Sequence, residues 1–324
     1  MKYFAILALT LCAALGFAAE AADRKYTVGV SMPSATHGWM ANANYWANKA
    51  KEDWAKWDPN VTIELKFSGN STQQSSDIED LMTMKVDALV VFPHDPSVTN
   101  VVEQAFNAGI YIVVLDRGVS KEGIYDLYIT GDDFNYARKG MKYLCDYLGG
   151  KGNIVMLGGT PSPIDTIRTN AAKGVAAEYP GITFLDVQPG DWNRQKSLAV
   201  MENFLQKYNK IDGVFTCDDD MMLGAIQAYK ESGRGDIKLF MGGGALKNVV
   251  KEIMDDSNPL VKADCTYPPS VIATATSYAI LGVKGEKLNP HIYQVRAMPN
   301  RIIVPAEIIT KENAKDFYNP DTPF

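Results

Sequence analysis

The chain is predicted to be an α/β protein of two similar lobes, each a doubly wound parallel sheet covered by helices. Three observations predict this. Strand-like segments alternate with amphipathic helical segments, with few exceptions, from Tyr26 onward. Runs such as Ile110–Leu115 are apolar without alternation, which marks a strand buried on both faces. After Thr130 the alternation restarts over a stretch of similar size, and 324 residues suit two domains of roughly 100–200 residues each. No clean internal repeat accompanies the restart, so the symmetry is architectural. No linker rich in Pro, Gly or Ser separates the halves, so the crossings between them are short.

Taken in order, Tyr26–Val30 reads as a strand, and a loop through Pro33 and His37-Gly38-Trp39 leads into a helix to about Trp54. Val61–Phe67 is a strand, and Ser71–Met84 a helix with Ile78, Leu81 and Met82 on one face. Ala88–Phe92 is a strand stopped by Pro93, and Ser97–Ala108 a helix ended by Gly109. The Ile110–Leu115 strand follows, with a short one near Leu127–Thr130. In the second half Phe134–Leu148, Asp165–Tyr179, Arg194–Tyr208, Met221–Ser232, Leu246–Met254 and Pro269–Leu281 read as helices. Asn153–Leu157, Ile182–Val187, Gly213–Phe215, Ile237–Met241, Val261–Cys265 and Ile302–Val304 read as strands.

Composition narrows the class. With 46% hydrophobic and 22% charged residues the chain is ordinary globular material. A formal net charge of -6 gives no electrostatic reason to bind nucleic acid or an anionic membrane. Lys2, the apolar run Tyr3–Ala19 and the Ala19-Glu20-Ala21 site read as a secretory signal peptide covering 1–21, with the mature chain beginning near Ala22. Cys12 as a lipid-anchor cysteine is rejected, because Leu11 before it is too large and the apolar run continues past it. Cys145, Cys217 and Cys265 remain, an odd number without Cys-x-x-Cys spacing, and are expected as buried thiols. His37, His94 and His291 lie far apart, so neither a metal nor a cofactor is expected.

Chemistry concentrates where apolar runs stop. Open α/β sheets place ligands at the carboxyl ends of their strands. There stand Thr36-His37-Gly38-Trp39, Pro93-His94-Asp95, Asp116-Arg117, Thr160–Arg168, Asp191-Trp192-Asn193, Cys217-Asp218-Asp219-Asp220 and Thr266-Tyr267. By that rule these sets face one another across a cleft between lobes. Carboxylates and arginine can make paired hydrogen bonds to adjacent hydroxyls, while aromatic faces cover the C–H surface of a ring. That mixture suits a sugar or polyol. An anion site would hold more Arg and Lys, and a lipid site fewer charges.

Each candidate also has a plainer reading. Asp116-Arg117 could be an ion pair closing a loop, Trp39 a core residue, His37 a loop residue or helix cap, and Arg168 a solvated helix residue. Trp192 stands in a polar loop where exposing an unsupported indole would be costly. One of the three acids after Cys217 must cap the following helix. Asp218 is the ligand candidate, and Asp219 and Asp220 the cap or surface residues. Catalytic motifs are missing: Gly242-Gly243-Gly244 is neither G-x-G-x-x-G nor a P-loop, and no Gly-x-Ser-x-Gly occurs.

Val113-Val114-Leu115-Asp116-Arg117, Gln188-Pro189-Gly190-Asp191-Trp192 and above all Gly213–Ala225 make the chain resemble type I periplasmic sugar-binding proteins of the ribose- and galactose-binding family. These are the ligand-capturing subunits of ABC importers. The resemblance covers essentially the whole chain after the signal peptide. It implies that Asp116 and Arg117 grip sugar hydroxyls, that Arg168 is the ligand-loop arginine of the second lobe, and that Trp192 stacks on the ligand. Trp39 matches one of a pair of stacking phenylalanines, with His37 at a neighbouring polar contact. Asp218 stands where ribose binders have Asn, Thr266 where they have Gln, and Gly242–Gly244 replaces Gly-x-Asp-Gly. These departures keep the ligand class and put ribose itself in doubt.

The resemblance further implies lobes of 22–130 plus 267–300 and 131–266 plus 301–324, joined by a three-crossing hinge near Thr130-Gly131, Thr266-Tyr267 and Pro299–Ile302. A monomeric periplasmic protein that delivers a monosaccharide or polyol to an inner-membrane permease is expected, without covalent chemistry. A sugar-acting enzyme in the same cleft, and a sensor subunit serving a chemoreceptor or kinase, are the alternatives. The lac-repressor-type regulators share the two-lobed fold, but a signal peptide stands here where their DNA-binding helices would be.

Overall fold

A computed structural model describes residues 24–288 and 300–323. The signal segment, His291 and Pro299 lie outside them. Twelve strands and ten helices run through the described residues. In the first half these are β1 (Tyr26–Pro33), α1 (Gly38–Trp57), β2 (Val61–Ser68), α2 (Ser71–Thr83), β3 (Ala88–Val91), α3 (Thr99–Asn107), β4 (Tyr111–Leu115) and β5 (Leu127–Gly131). The second half continues with α4 (Asp133–Tyr147), β6 (Lys151–Gly158), α5 (Pro163–Ala177), β7 (Gly181–Pro189), α6 (Arg194–Lys207), β8 (Gly213–Thr216), α7 (Asp219–Glu231), β9 (Leu239–Met241) and α8 (Lys247–Asp255). The chain closes through β10 (Ala263–Cys265), α9 (Val271–Leu288), β11 (Arg301–Val304), β12 (Ile308–Thr310) and α10 (Ala314–Phe317).

One sheet has the order β11-β5-β4-β3-β1-β2, another β7-β6-β8-β9. The pairings among β1–β5 and among β6–β9 are parallel. The parallel α/β architecture expected from the alternating pattern is therefore the one observed. β3, β4 and β8 are buried along their whole length, as their unbroken apolar runs require.

Three local differences have physical causes. The helix expected from Ser97 begins as a 3-10 turn, Pro96–Val98, because Asp95 caps it and Pro96 fills its first position. The strand ending at Cys265 does not extend the parallel sheet. It pairs antiparallel with β12, a three-residue strand too short to show periodicity in the sequence. α10, four residues long, escaped notice for the same reason.

The chain divides into two compact units. The first holds the described residues up to Pro33, Ala47–Ile129 and Ile272–Ile302; the second holds Ser34–Trp46, Thr130–Val271 and Ile303 onward. The first unit's core packs Ile78, Leu81, Leu89, Val91, Ile112 and Val114 between sheet and helices. The second packs Val155, Leu157, Val214, Met222, Phe240 and Val249. Cys145, Cys217 and Cys265 are free, buried thiols, and burial pushes Cys145 and Cys217 up to about 12. No helix among the described residues is long and apolar enough to cross a membrane.

Candidate functional site

In the first unit the carboxyl ends of β1 and β3 are tied together by a buried polar residue. Gln74, fully buried on α2, donates to the Phe92 carbonyl at 2.8 Å and to Ser31 Oγ at 3.2 Å, and accepts from His94 N at 2.6 Å. This residue carried no sequence signal beyond lying on a helix face. Just past β4, Asp116 takes a left-handed backbone conformation, φ 63°, which is uncommon outside glycine and tolerated best by Asp and Asn. Its N–H donates to the Ile129 carbonyl at 2.8 Å, and its own carbonyl accepts from Tyr128 Oη at 2.6 Å.

Arg117 is oriented in advance. Its Nη1 donates to the His94 carbonyl at 2.6 Å, its guanidinium lies 5.4 Å from the Phe92 ring centroid, and its Nε sits 3.9 Å from Asp116 Oδ2. His94 thus serves through its backbone. Asp95 has a local duty: its carboxylate accepts from Ser97 N at 2.8 Å, and the Ser97 hydrogen bonds hold it below the usual carboxylate range.

The second unit gathers Trp39, Arg168, Trp192, Asp218 and Thr266, with His37 on the same segment as Trp39. Arg168 is not a solvated helix residue. At 4% exposure it donates through Nε to Asp133 Oδ1 and through Nη1 to the Cys217 carbonyl, both at 2.8 Å. Its guanidinium carbon lies 4.1, 4.5 and 5.6 Å from the ring centroids of Tyr136, Tyr267 and Trp192. Burial works against its charge, but Asp133 and the two tyrosines outweigh burial and raise its pKa.

Bare backbone makes room for these rings. A Cβ at Gly131 would overlap the Tyr267 ring, one at Gly159 the Trp192 indole, and one at Gly243 the Tyr136 phenol. Asp191 and Trp192 both have φ 56°, so the loop after β7 is bent to bring the indole over Gly159.

The three acids at the start of α7 take separate duties, and the expected division between them is corrected. Asp218 is itself the cap, accepting from Asp220 N at 2.8 Å and Met221 N at 3.3 Å. Burial, then Asp219 and Asp220, raise its pKa well above the ordinary range. Asp219 is neither cap nor surface: it is fully buried and accepts from Gly243 N at 2.9 Å and Leu246 N at 2.8 Å. Asp220 is buried as well, accepting from Gly38 N at 2.6 Å and from Arg194 at 2.5 and 3.1 Å.

That Gly38 bond places a carboxylate at the amino end of α1, where the helix dipole favours it. Next to it Trp39 is buried, donates through Nε1 to the Tyr267 carbonyl at 2.6 Å, and packs 5.7 Å from the Tyr267 ring. His37 starts the helix with its carbonyl, accepting from Ala41 N at 2.9 Å, while its Nδ1 lies 2.9 Å from Thr36 Oγ1. Thr266 exchanges two 2.8 Å bonds with Glu307, donating through its N–H and accepting on its hydroxyl. Its hydroxyl proton remains to be given elsewhere. Tyr136 and Asp133, which flank Arg168, are residues that strand-end reasoning did not name, whereas Tyr267 stood there beside Thr266.

Comparison with known proteins adds an independent line. The model of the periplasmic binding protein domain matches residues 28–287. The chain is 29% identical over 233 residues to the ribose import binding protein of Bacillus subtilis, covering 72% of this chain and 74% of that one. It is 28% identical over 328 residues to the D-xylose-binding periplasmic protein of Escherichia coli, covering 95% and 94%. An ABC transporter solute binding protein from Mycobacterium smegmatis with bound glycerol superposes with a TM-score of 0.79 at 23% identity, over 92% of this chain and 98% of that one. One from Bacillus halodurans with bound myo-inositol gives 0.78 at 21%, over 91% and 98%. At such identities the two structures speak for the fold alone.

Proposed function

This chain belongs to the periplasmic binding protein domain family, and from that premise we propose that it captures a monosaccharide or polyol in the periplasm and delivers it to an ABC importer. The observation that carries the reading is the Asp116–Arg117 pair. A buried carboxylate at a left-handed strand end sits beside a guanidinium already oriented by the His94 carbonyl and the Phe92 ring. Together they offer acceptors and a planar fork of donors to adjacent hydroxyls, with little side-chain freedom left to lose on binding. The second unit supplies aromatic faces, Trp192 and Trp39, and a hydroxyl and a carboxyl group in Thr266 and Asp218. In this reading the protein binds its ligand without turnover. It acts as a monomer, exported by a cleaved signal peptide, with an inner-membrane permease as its partner.

The test is a thermal-shift screen of the purified mature chain against pentoses, hexoses and polyols, followed by calorimetric titration of each hit. One class should raise the unfolding temperature strongly, by about 2.7 kcal/mol of stabilisation at ligand 100-fold above its Kd. A flat response to every carbohydrate and polyol defeats the reading. Product formation from a bound sugar would show an enzyme instead.

A further inference from the structure

Tyr136, on the inner face of α4, is completely buried, and among the described residues its hydroxyl has no hydrogen-bond partner. Buried hydroxyls are rarely left so, because desolvation is then uncompensated. The ring cannot swing to find one. It lies beneath the Arg168 guanidinium at 4.1 Å and edge-on to Tyr267 at 6.2 Å.

The hydroxyl points at Gly243, in the volume that a side chain there would fill. The backbone around it is already engaged: Gly243 N donates to Asp219 Oδ1, the Gly243 carbonyl accepts from Asp219 N, and Gly244 N donates to the Cys265 carbonyl. Gly243 brings backbone and no side chain against the phenol, which is buried there. Its neighbours Arg168 and Tyr267, and the Trp192 ring that Arg168 also meets, belong to the candidate site.

We propose that Tyr136 is a specificity-determining residue whose hydroxyl pairs with one hydroxyl of the bound carbohydrate or polyol on the Gly243 side. The proposal rests on the carbohydrate-binding reading above and adds a contact that strand-end reasoning did not name. A phenol held rigidly at one point selects for a ligand oxygen at that point, so it discriminates between epimers and against the matching deoxy compound.

The experiment titrates D-ribose, D-xylose, D-allose, xylitol and myo-inositol into wild-type protein and Tyr136→Phe, then deoxy analogues of whichever binds best. Tyr136→Phe should weaken the best ligand about ten-fold or more. It should bind one deoxy analogue as well as wild type does, and its ligand-free unfolding temperature should be unchanged or higher. Equal affinity of the two proteins for every ligand overturns the assignment while leaving the functional reading standing. If wild type binds no carbohydrate, the functional reading fails and the assignment goes with it. Should Tyr136→Phe refold poorly, wild type alone still decides: a series in which no single deoxygenation weakens binding about ten-fold overturns the proposal.

Discussion

Asp116 and Arg168 show how differently two charged residues of one candidate set are held. Asp116 occupies a left-handed backbone position that its own short side chain tolerates, and its backbone is fixed by Ile129 and Tyr128. Replacing it with Ala removes the acceptor oxygens while those backbone bonds remain available. Asp116→Ala is expected to abolish ligand binding by calorimetry, with cooperative thermal unfolding retained. Arg168 is bound into the protein itself, between Asp133, the Cys217 carbonyl and three rings. Arg168→Leu leaves the Asp133 carboxylate without its cation and should destabilise the fold by about 3–5 kcal/mol in urea unfolding. Adding Asp133→Leu should recover much of that loss, which a purely ligand-facing arginine would not show. The sequence singled out both residues. That Arg168 is buried could not be read there, because its cage comes from four separate segments of chain.

At the scale of elements, the amino end of α7 explains three consecutive acids. Successive helical residues point about 100° apart. Asp218 therefore turns back to cap, Asp219 turns inward to the Gly243–Leu246 backbone, and Asp220 reaches the start of α1 and Arg194. A need for one cap was legible in the run; which acid takes it depends on where neighbouring elements lie. The same holds for the glycine just after β6. Gly159 looks like ordinary turn material, yet the Trp192 indole packs where its Cβ would be. Gly159→Ala should destabilise by about 1–3 kcal/mol through overpacking and displace the indole, read as a shift in tryptophan fluorescence together with weaker ligand binding.

At the scale of the whole molecule, two carboxyls link stability to pH. Asp219 and Asp264 are both fully buried, lie in hydrogen-bonding reach of each other, and bind the backbone of one loop through Gly243, Ala245 and Leu246. Burial, and for Asp219 the neighbouring Asp264, raises both pKa values, that of Asp264 from 3.8 to about 7. The folded protein therefore keeps a proton that the unfolded chain releases near 3.8. The contribution of Asp264 to stability is full below 3.8, falls as pH rises, and is lost above about 7. Asp264→Asn should flatten that part of the pH dependence in unfolding measured between pH 5 and 8, whereas an unchanged slope would count against the pair. Local pattern alone determined the parallel α/β architecture, the order of its elements and the strand ends at which the candidates stand, because hydrophobic periodicity and strand-end chemistry are written along the chain. Only the tertiary structure decided that β10 pairs with β12, that Gln74 and Tyr136 belong beside those candidates, and that Asp219 meets Asp264. Those facts depend on contacts between distant segments, and burial, the quantity that sets their energetics, belongs to the packed chain and to no single stretch of it.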